Sequence, residues 1–399
     1  MDPTQSPKLS PLLAQELEDG PLRRELGLGQ KDKEPIVEPA YRSQLSFDGT
    51  GSEYFRIWIV NTLLTLLTLG VYSAWAKVRK ARWFAQHTVF EGDRFDFHGQ
   101  PLGILLGRAM ALVLLVLWSL AFDWSLTAGL AMLGVLCVAG PLMFASAQSF
   151  KLANTSWRGL RFAFQVPRPH VYAVCVPLLL LWTASSVLEA TGVSGGWFSA
   201  AGLTAALGFP WAHARLKQMQ HEHASFGDMR FSFTPASPEF YGAYGAAVVL
   251  LMLVGLTGGI FSAMVVTRQQ PNQTQLTLLL TAVMGLLAWC FVWPYFAARL
   301  QQVVWRHTRC GALEFRGEMR AAALWRLAIP RIALTVLTLG LYWPFAAVAI
   351  ARYRVGCIVV LADQPVADLV AKVPVATGGA RAHAAGDAAA DFFGLDLGW

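Results

Sequence analysis

The chain has 399 residues, of which 55% are hydrophobic and only 14% are charged. A soluble domain is about one quarter charged, so this composition excludes an ordinary soluble protein and indicates a membrane protein. The net charge is +7. Many of the basic residues lie beside apolar runs, which favours anionic lipid headgroups over nucleic acid as their partner.

The two ends of the chain differ from its middle. The first 46 residues contain no apolar stretch typical of a signal peptide, and they are rich in Pro, Gln, Glu and Asp. We predict a disordered N-terminal tail at 1–46, a repeat-built membrane domain at 47–360 and a mostly disordered C-terminal tail at 361–399. The aromatic segment 391–399 either docks on a partner or binds nothing.

Eight apolar runs, of about 20 residues each, fill the membrane domain and are long enough to cross a bilayer. Several of the 15 tryptophans lie near their ends, where an indole prefers the membrane interface. The predicted fold is mainly α, a polytopic α-helical membrane protein. The runs cover residues 54–76, 101–122, 125–147, 171–190, 196–213, 240–266, 276–298 and 327–351.

Lysine and arginine are unevenly shared between the segments that connect these runs. The four long connections hold seventeen of them, whereas the short turns near 123, 193 and 270 hold only Arg268. Cytoplasmic loops collect Lys and Arg, so we predict that the long basic connections are cytoplasmic and that the short turns face away. The long connections are 76–100, 148–170, 214–239 and 299–322.

One sequence pattern occurs four times, once in each long connection. It starts with His or Asn, continues through a Gly and, in three copies, ends in an aromatic pair such as Phe95 and Phe97. Shifts of 67, 136 and 220 residues superpose the copies, which indicates one structural unit used repeatedly. Because single strands are unstable alone, we predict short cytoplasmic β-strands that pair into a small layer, with the first Phe of each packed inward. The predicted strands are 92–97, 159–164, 228–233 and 312–316.

Histidines occupy the first position of the pattern in three copies, at His87, His223 and His307, and Asn154 occupies it in the fourth. Histidines arranged around an axis could bind a metal ion, but Asn and the lack of a carboxylate pattern argue against it. A capping or turn role suits both residue types. We therefore predict no metal site and no cofactor.

The phrase Thr-Leu-Gly-x-Tyr occurs in both terminal apolar runs, at 68–72 and 338–342. Each of these runs lies between segments that both look cytoplasmic, whereas one crossing would place its ends on opposite sides. Two solutions remain open. Either each run spans once and places the chain termini outside, or each folds back at its Gly as a re-entrant helix.

Two groups of side chains are candidates for a functional site. The first group lies at basic helix ends, where cations contact lipid headgroups, cap helix carbonyls or pair with acids such as Asp93, Asp228 and Glu314. The second is a polar stripe in the first apolar run, which serves either interhelical hydrogen bonding or a solute path. The basic group is Lys77, Arg79, Arg82, Arg215 and Arg299, and the stripe is Asn61, Thr65 and Thr68.

The stretch from Asn61 to Arg79, the Asn154-Thr155-x3-Gly159 segment and the Thr-Leu-Gly-Leu-Tyr342 run together resemble the YjgN family of bacterial inner-membrane proteins. The resemblance covers about residues 45 to 360, so both tails lie outside it. It implies a multi-pass protein of the bacterial inner membrane. It implies no catalytic or binding residues, because the family is a domain of unknown function.

The sequence contains no P-loop, GxSxG or HExxH motif and no paired carboxylates in a shared context, so we predict that the protein is not an enzyme. Internal repeats and interrupted terminal runs favour a transport-like or channel-like protein. The alternative is a structural or lipid-organising membrane protein, which the basic cytoplasmic collar and the few charges inside the runs favour.

Overall fold

The computed structural model of the chain describes residues 41–192, 196–266 and 273–371, in which pairs of helices alternate with short β-hairpins. The helices are α1 (Gly51–Leu67), α2 (Ser73–Gln86), α3 (Pro101–Trp124), α4 (Leu126–Ala153), α5 (Arg168–Ala190), α6 (Gly196–Glu222), α7 (Ser237–Val266), α8 (Gln273–Arg306), α9 (Ala321–Leu337), α10 (Trp343–Gly356) and α11 (Val366–Ala371). The strands are β1 (Tyr41–Gln44), β2 (Ser46–Phe47), β3 (Thr88–Phe90), β4 (Asp93–Phe97), β5 (Thr155–Trp157), β6 (Leu160–Phe164), β7 (Ala224–Phe226), β8 (Met229–Phe233), β9 (Thr308–Cys310), β10 (Leu313–Gly317) and β11 (Ile358–Ala362).

The strands form one antiparallel sheet that closes on itself. In the described residues its order is β1-β11-β10-β9-β8-β7-β6-β5-β4-β3-β2. Only Leu45 separates β1 from β2, and its amide donates to the Ile358 carbonyl at 3.2 Å. Segment 41–47 therefore joins the two ends of the sheet into what we call the β-ring. The four predicted strands are confirmed as β4, β6, β8 and β10, but the sheet is far larger than the small layer expected.

The start of the β-ring also moves the predicted boundary of the N-terminal tail. Residues 41–46, assigned to that tail from sequence, form β1 and the first residue of β2. The partner of β1 is β11, more than 300 residues further along the chain, so nothing in the local sequence marks residues 41–44 as a strand. At the other end, β11 and α11 extend past residue 360 into the predicted C-terminal tail.

The inside of the β-ring is filled with apolar side chains. One contiguous cluster collects buried residues from every hairpin, which places it inside the ring. The first phenylalanines of the repeated pattern pack against this cluster, as predicted: the rings of Phe95 and Phe162 lie 6.4 Å apart, and those of Phe231 and Phe315 lie 6.1 Å apart. This ring core includes Leu45, Phe90, Trp157, Leu160, Phe226, Trp305, Cys310, Leu313, Ile358, Val360 and Val366.

The helices form a second ring on one side of the strands. Each helix from α1 to α10 packs against the next, and α10 packs against α1. The same backbone hydrogen bond joins neighbouring units at five places, so the sequence pattern found four times belongs to a unit used five times. The fifth hairpin combines β11 with the first strands of the chain. The five bonds run from the amides of Asp48, His98, Gln165, Thr234 and Glu318 to the carbonyls of His87, Asn154, His223, His307 and Cys357, at 2.8 to 3.1 Å.

Four of the eight predicted apolar runs lie in helices that are long and apolar enough to cross a membrane, in the part of the chain that the structure describes. These helices are Pro101–Trp124, Leu126–Ala153, Ser237–Phe261 and Thr277–Arg306. The runs at 171–190 and 196–213 lie in α5 and α6. Parts of the predicted outer turns, residues 193–195 and 267–272, lie outside the described residues.

The two terminal runs, 54–76 and 327–351, each break into two short helices, which decides between the two solutions left open by the sequence. The chain reverses at 68–72 between α1 and α2, and at 338–342 between α9 and α10. Both ends of each short hairpin return to the β-ring, because β2 precedes α1 and β3 follows α2, whereas β10 precedes α9 and β11 follows α10. The terminal runs therefore fold back.

The repeated Thr-Leu-Gly-x-Tyr phrase encodes this reversal. The amide of Gly70 donates to the Thr65 carbonyl at 2.8 Å, with Gly70 at φ +92°, where glycine carries no Cβ penalty. The Thr68 hydroxyl donates to the Leu64 carbonyl at 2.7 Å and accepts from the Tyr72 amide at 2.9 Å. The second copy repeats both hydroxyl bonds through Thr338, at 2.7 and 3.0 Å.

Candidate functional site

The histidines at the repeat position end their helices. Nδ1 of His87 lies 2.7 Å from the Trp83 carbonyl, four residues earlier, and His223 and His307 make the same contact at 3.2 and 2.8 Å. Asn154 makes the equivalent bond, in which its side-chain amide donates to the Phe150 carbonyl at 2.8 Å. The predicted capping role is therefore confirmed. No group of three potential metal ligands occurs among the described residues.

Three arginines share one repeat position and point outward. Arg79, Arg215 and Arg299 are all exposed. Arg215 donates to the Gln218 amide oxygen at 3.3 Å and Arg299 to that of Gln302 at 3.2 Å, so both bonds stay within one helical turn. These acceptors are neutral, and the guanidinium charge therefore remains available at the surface.

Two of the acids considered as partners for these arginines are bonded elsewhere. Asp93 pairs with Arg158 on the next hairpin, and Glu314 pairs with Arg309 at 3.0 Å across its own hairpin. These ion pairs hold together the outer surface of the β-ring. In the described structure they do not involve the helix-end arginines.

Arg82, a further member of the basic group, makes a contact that the sequence did not predict. Its Nε donates to the Phe97 carbonyl at 3.0 Å, which ties α2 to the end of the following strand. In three of the other four units, the side chain at the equivalent position donates in a similar way to a carbonyl at the end of the next hairpin. These bonds are Ser149 to Phe164 at 3.1 Å, Gln302 to Met319 at 2.5 Å and Arg352 to Gly49 at 2.8 Å. The sequence hides this function because the residue type changes from unit to unit.

The residues of the predicted polar stripe differ in burial and in their contacts. Asn61 is buried, with 7% of its surface exposed, whereas Thr68 lies exposed in the turn. The Thr65 hydroxyl donates to the Asn61 carbonyl of its own helix at 2.6 Å. The structure instead joins Asn61 to the basic group, because Arg79 donates to its amide oxygen and to the Tyr72 hydroxyl, both at 3.3 Å. Lys77, the remaining basic candidate, lies half-buried on α2.

A further polar contact lies next to the first short turn. Arg108, seven residues into α3, donates to the hydroxyl of Ser73 at 2.6 Å. Ser73 is the first residue of α2, so this arginine meets the short hairpin just below its turn. In the second short hairpin Arg331 takes the repeat position of Asn61 and donates to the Leu327 carbonyl at 2.8 Å.

The turns of the short hairpins are apolar and exposed. Leu67 and Leu69 expose 79% and 96% of their surface, and Leu337 and Leu339 expose 78% and 94%. The turn between α3 and α4 is different, since it carries Asp123 and Ser125 among its residues. Leucines at such exposed tips are unfavourable in water.

A polar contact between the last turn of α6 and β9 lies near the β-ring, outside the apolar runs. Nδ1 of His221 lies 3.2 Å from the Thr308 hydroxyl, and its ring is 6.0 Å from that of Trp305 in the ring core. Burial lowers the pKa of His221 from 6.5 to about 3, and the nearby Lys217 charge adds to the effect. His221 is therefore neutral at physiological pH and serves the packing of the core.

The apolar helices and the closed repeat define a helical membrane protein. A family model described as "Bacterial protein of unknown function (DUF898)" matches residues 42–392, so the chain belongs to this family. The match covers most of the chain and reaches further into the C-terminal tail than the resemblance seen in the sequence.

Curated relatives agree with this assignment. The chain is 29% identical over 140 residues to "Inner membrane protein YjgN" of Salmonella typhimurium, which is 34% of this chain and 35% of the relative. It is 32% identical over 124 residues to the protein of the same name from Escherichia coli K12, which is 30% of each chain. The matches thus span about a third of the relatives' length. They support the inner membrane as the location. No solved structure matches the chain.

Proposed function

We propose that the chain is a multi-pass inner-membrane protein that organises lipid around its helix ring, with anionic headgroups bound at the basic helix ends. The main support for this proposal comes from Arg79, Arg215 and Arg299. These arginines share one repeat position, are exposed and donate their hydrogen bonds to neutral acceptors. A cation near a membrane surface gains about 1 kcal/mol from anionic lipid. Three such cations per ring would give a clear preference for anionic headgroups.

A matched pair of variants tests this function. The triple variant R79Q/R215Q/R299Q should retain less phosphatidylglycerol than the parent when both are extracted from vesicles of mixed phosphatidylcholine and phosphatidylglycerol and analysed by native mass spectrometry. The control R42Q/R94Q removes two exposed cations that pair with Glu318 and Asp48 on the β-ring. Equal lipid retention in the triple variant and the parent would reject the proposal.

The orientation is part of the same proposal: the β-ring and the basic connections face the cytoplasm. The seventeen-to-one distribution of Lys and Arg supports it. In a background without the five native cysteines, a membrane-impermeant maleimide added to intact cells should label a cysteine at Ser125 and leave one at Gly159 unlabelled. Labelling at Gly159 but not at Ser125 would show that the β-ring faces away from the cytoplasm.

A transport-like function is the second candidate, and the short terminal hairpins in corresponding positions of the repeat favour it. A channel along the axis of the β-ring is disfavoured, because a solute on this axis would have to displace the aromatic side chains of the ring core. A transported molecule would more easily enter from the side. Flux of a solute through proteoliposomes that N61L abolishes without unfolding the protein would favour this candidate. We propose no enzymatic activity.

A further inference from the structure

The helical hairpins of the ring differ in length, so their turns lie at different distances from the β-ring. In the α3/α4 hairpin, Ser125 at the turn lies 16 residues before Pro141, which is about 24 Å of helix. Ala74 is the repeat equivalent of Pro141, yet it lies only four residues after Gly70, or about 6 Å. The first short turn therefore ends about 18 Å below the turn of α3 and α4.

The second short hairpin has the same height and stands next to the first. Pro344, the repeat equivalent of Ala74, lies four residues after Gly340. Helix α10 packs against α1, and the rings of Phe55 and Phe345 stack at 5.7 Å. The two short hairpins thus form one continuous low sector of the ring. Helices α3 and α8 flank this sector and make no extensive contact with each other in the described residues.

Bilayer dimensions place the floor of the low sector in hydrocarbon. The apolar core of a bilayer is about 30 Å thick, so a turn about 18 Å short of the far interface ends near mid-depth. The exposed side chains of the two turns are suited to this depth, because Leu67, Leu69, Leu337 and Leu339 offer only apolar surface. The backbone amides of residues 68–73 all donate within the hairpin, that of Tyr72 to the Thr68 hydroxyl, as a turn in hydrocarbon requires.

We propose that this low sector is a lateral bay for lipid: acyl chains of the leaflet opposite the β-ring enter between α3 and α8 and lie on the two leucine-rich turns. The bay differs from the headgroup contacts proposed above, which involve other residues on the β-ring side. Acyl chains are the occupant that matches both the depth and the chemistry of the floor. Water or a polar segment of protein would leave the exposed leucines unfavourably solvated.

Spin-label depth measurements on the full chain test the floor of the bay. In cysteine-free protein reconstituted in phosphatidylcholine/phosphatidylglycerol vesicles, nitroxides at Leu69 and Leu339 should be accessible to oxygen and inaccessible to a soluble nickel complex. A nitroxide at Ser125 should show the opposite preference. Nickel access at Leu69 and Leu339 equal to that at Ser125 would overturn the proposal.

Photolabelling tests the occupant. A phosphatidylcholine with a diazirine at the end of its acyl chain should label peptides 63–75 and 333–345, and the double variant L69N/L339N should lose most of this labelling. The control variant L126N places the same polar group at the turn of the long hairpin, and the two peptides should remain labelled in it. Absence of labelling in the parent protein would overturn the proposal of a lipid bay. The headgroup proposal is tested separately, by the comparison of R79Q/R215Q/R299Q with the parent protein.

Discussion

The backbone amide of Asp48 donates to the carbonyl of His87 at 3.1 Å, and this bond is the member of the repeated set that involves the N-terminal strands. Of the four others, three lie between units that are whole in the sequence, and the bond from Glu318 to Cys357 joins the last of these units to β11 of the split hairpin. Because the bond has the same geometry as its equivalents, the split fifth hairpin joins the ring in the same way as the other hairpins. The connection at the split hairpin therefore has the same hydrogen bond as the other connections between units.

A circular permutant should consequently fold. In each complete hairpin two residues join the paired strand ends, such as Glu91 and Gly92 between Phe90 and Asp93. Ala362 pairs with Tyr41, so a Glu-Gly linker between them should close the fifth hairpin in the same way. With new termini opened at Gly159, we expect a cooperative thermal transition in detergent within a few degrees of that of linear 41–362.

The linear form is the control for the permutant, since both lack α11. A permutant that aggregates while linear 41–362 melts cooperatively would show that the split hairpin differs from the others. Thermal unfolding followed by circular dichroism distinguishes the two outcomes.

The threonine of the repeated phrase should contribute to stability through its role in the turn. T68V keeps the shape of the side chain but leaves the Tyr72 amide without its acceptor, which costs about 1 kcal/mol. T65V is the matched control, because Thr65 only donates to a carbonyl of its own helix and should cost less. Equal losses in denaturant titrations would contradict the assigned role of Thr68.

The sequence predicted the repeat, the strands and the capping residues because each depends on local chemistry. It did not predict closure, since β1 and β11 lie more than 300 residues apart and β1 has only four residues. It left the fate of the terminal runs open, although Thr65, Thr68 and Gly70 carry a recognisable helix-ending pattern. Arg79 contacts Asn61 only because the chain reverses between α1 and α2. Without that reversal, the two residues were assigned from sequence to separate candidate groups.

The capping role of the repeat histidines predicts which substitutions are tolerated. H307N introduces the residue that the second unit has at Asn154, and its amide can donate to the Val303 carbonyl as His307 does. H307A loses that bond and should cost about 1 kcal/mol. Chemical denaturation of both variants in the same detergent measures the difference. Equal destabilisation by H307N and H307A would argue that the imidazole itself is required.

His221 should make the protein sensitive to mild acid. Its pKa is about 3 in the folded protein and about 6.5 when unfolded, so the unfolded state binds a proton first as the pH falls. The free energy of unfolding should therefore decrease below about pH 6.5 and continue to decrease toward pH 3. The control variant H221L introduces the residue of the second unit, Leu152, and should make this part of the pH profile less steep. Parallel pH profiles of the parent protein and H221L between pH 7 and 4 would show that His221 is protonated as easily in the folded as in the unfolded chain.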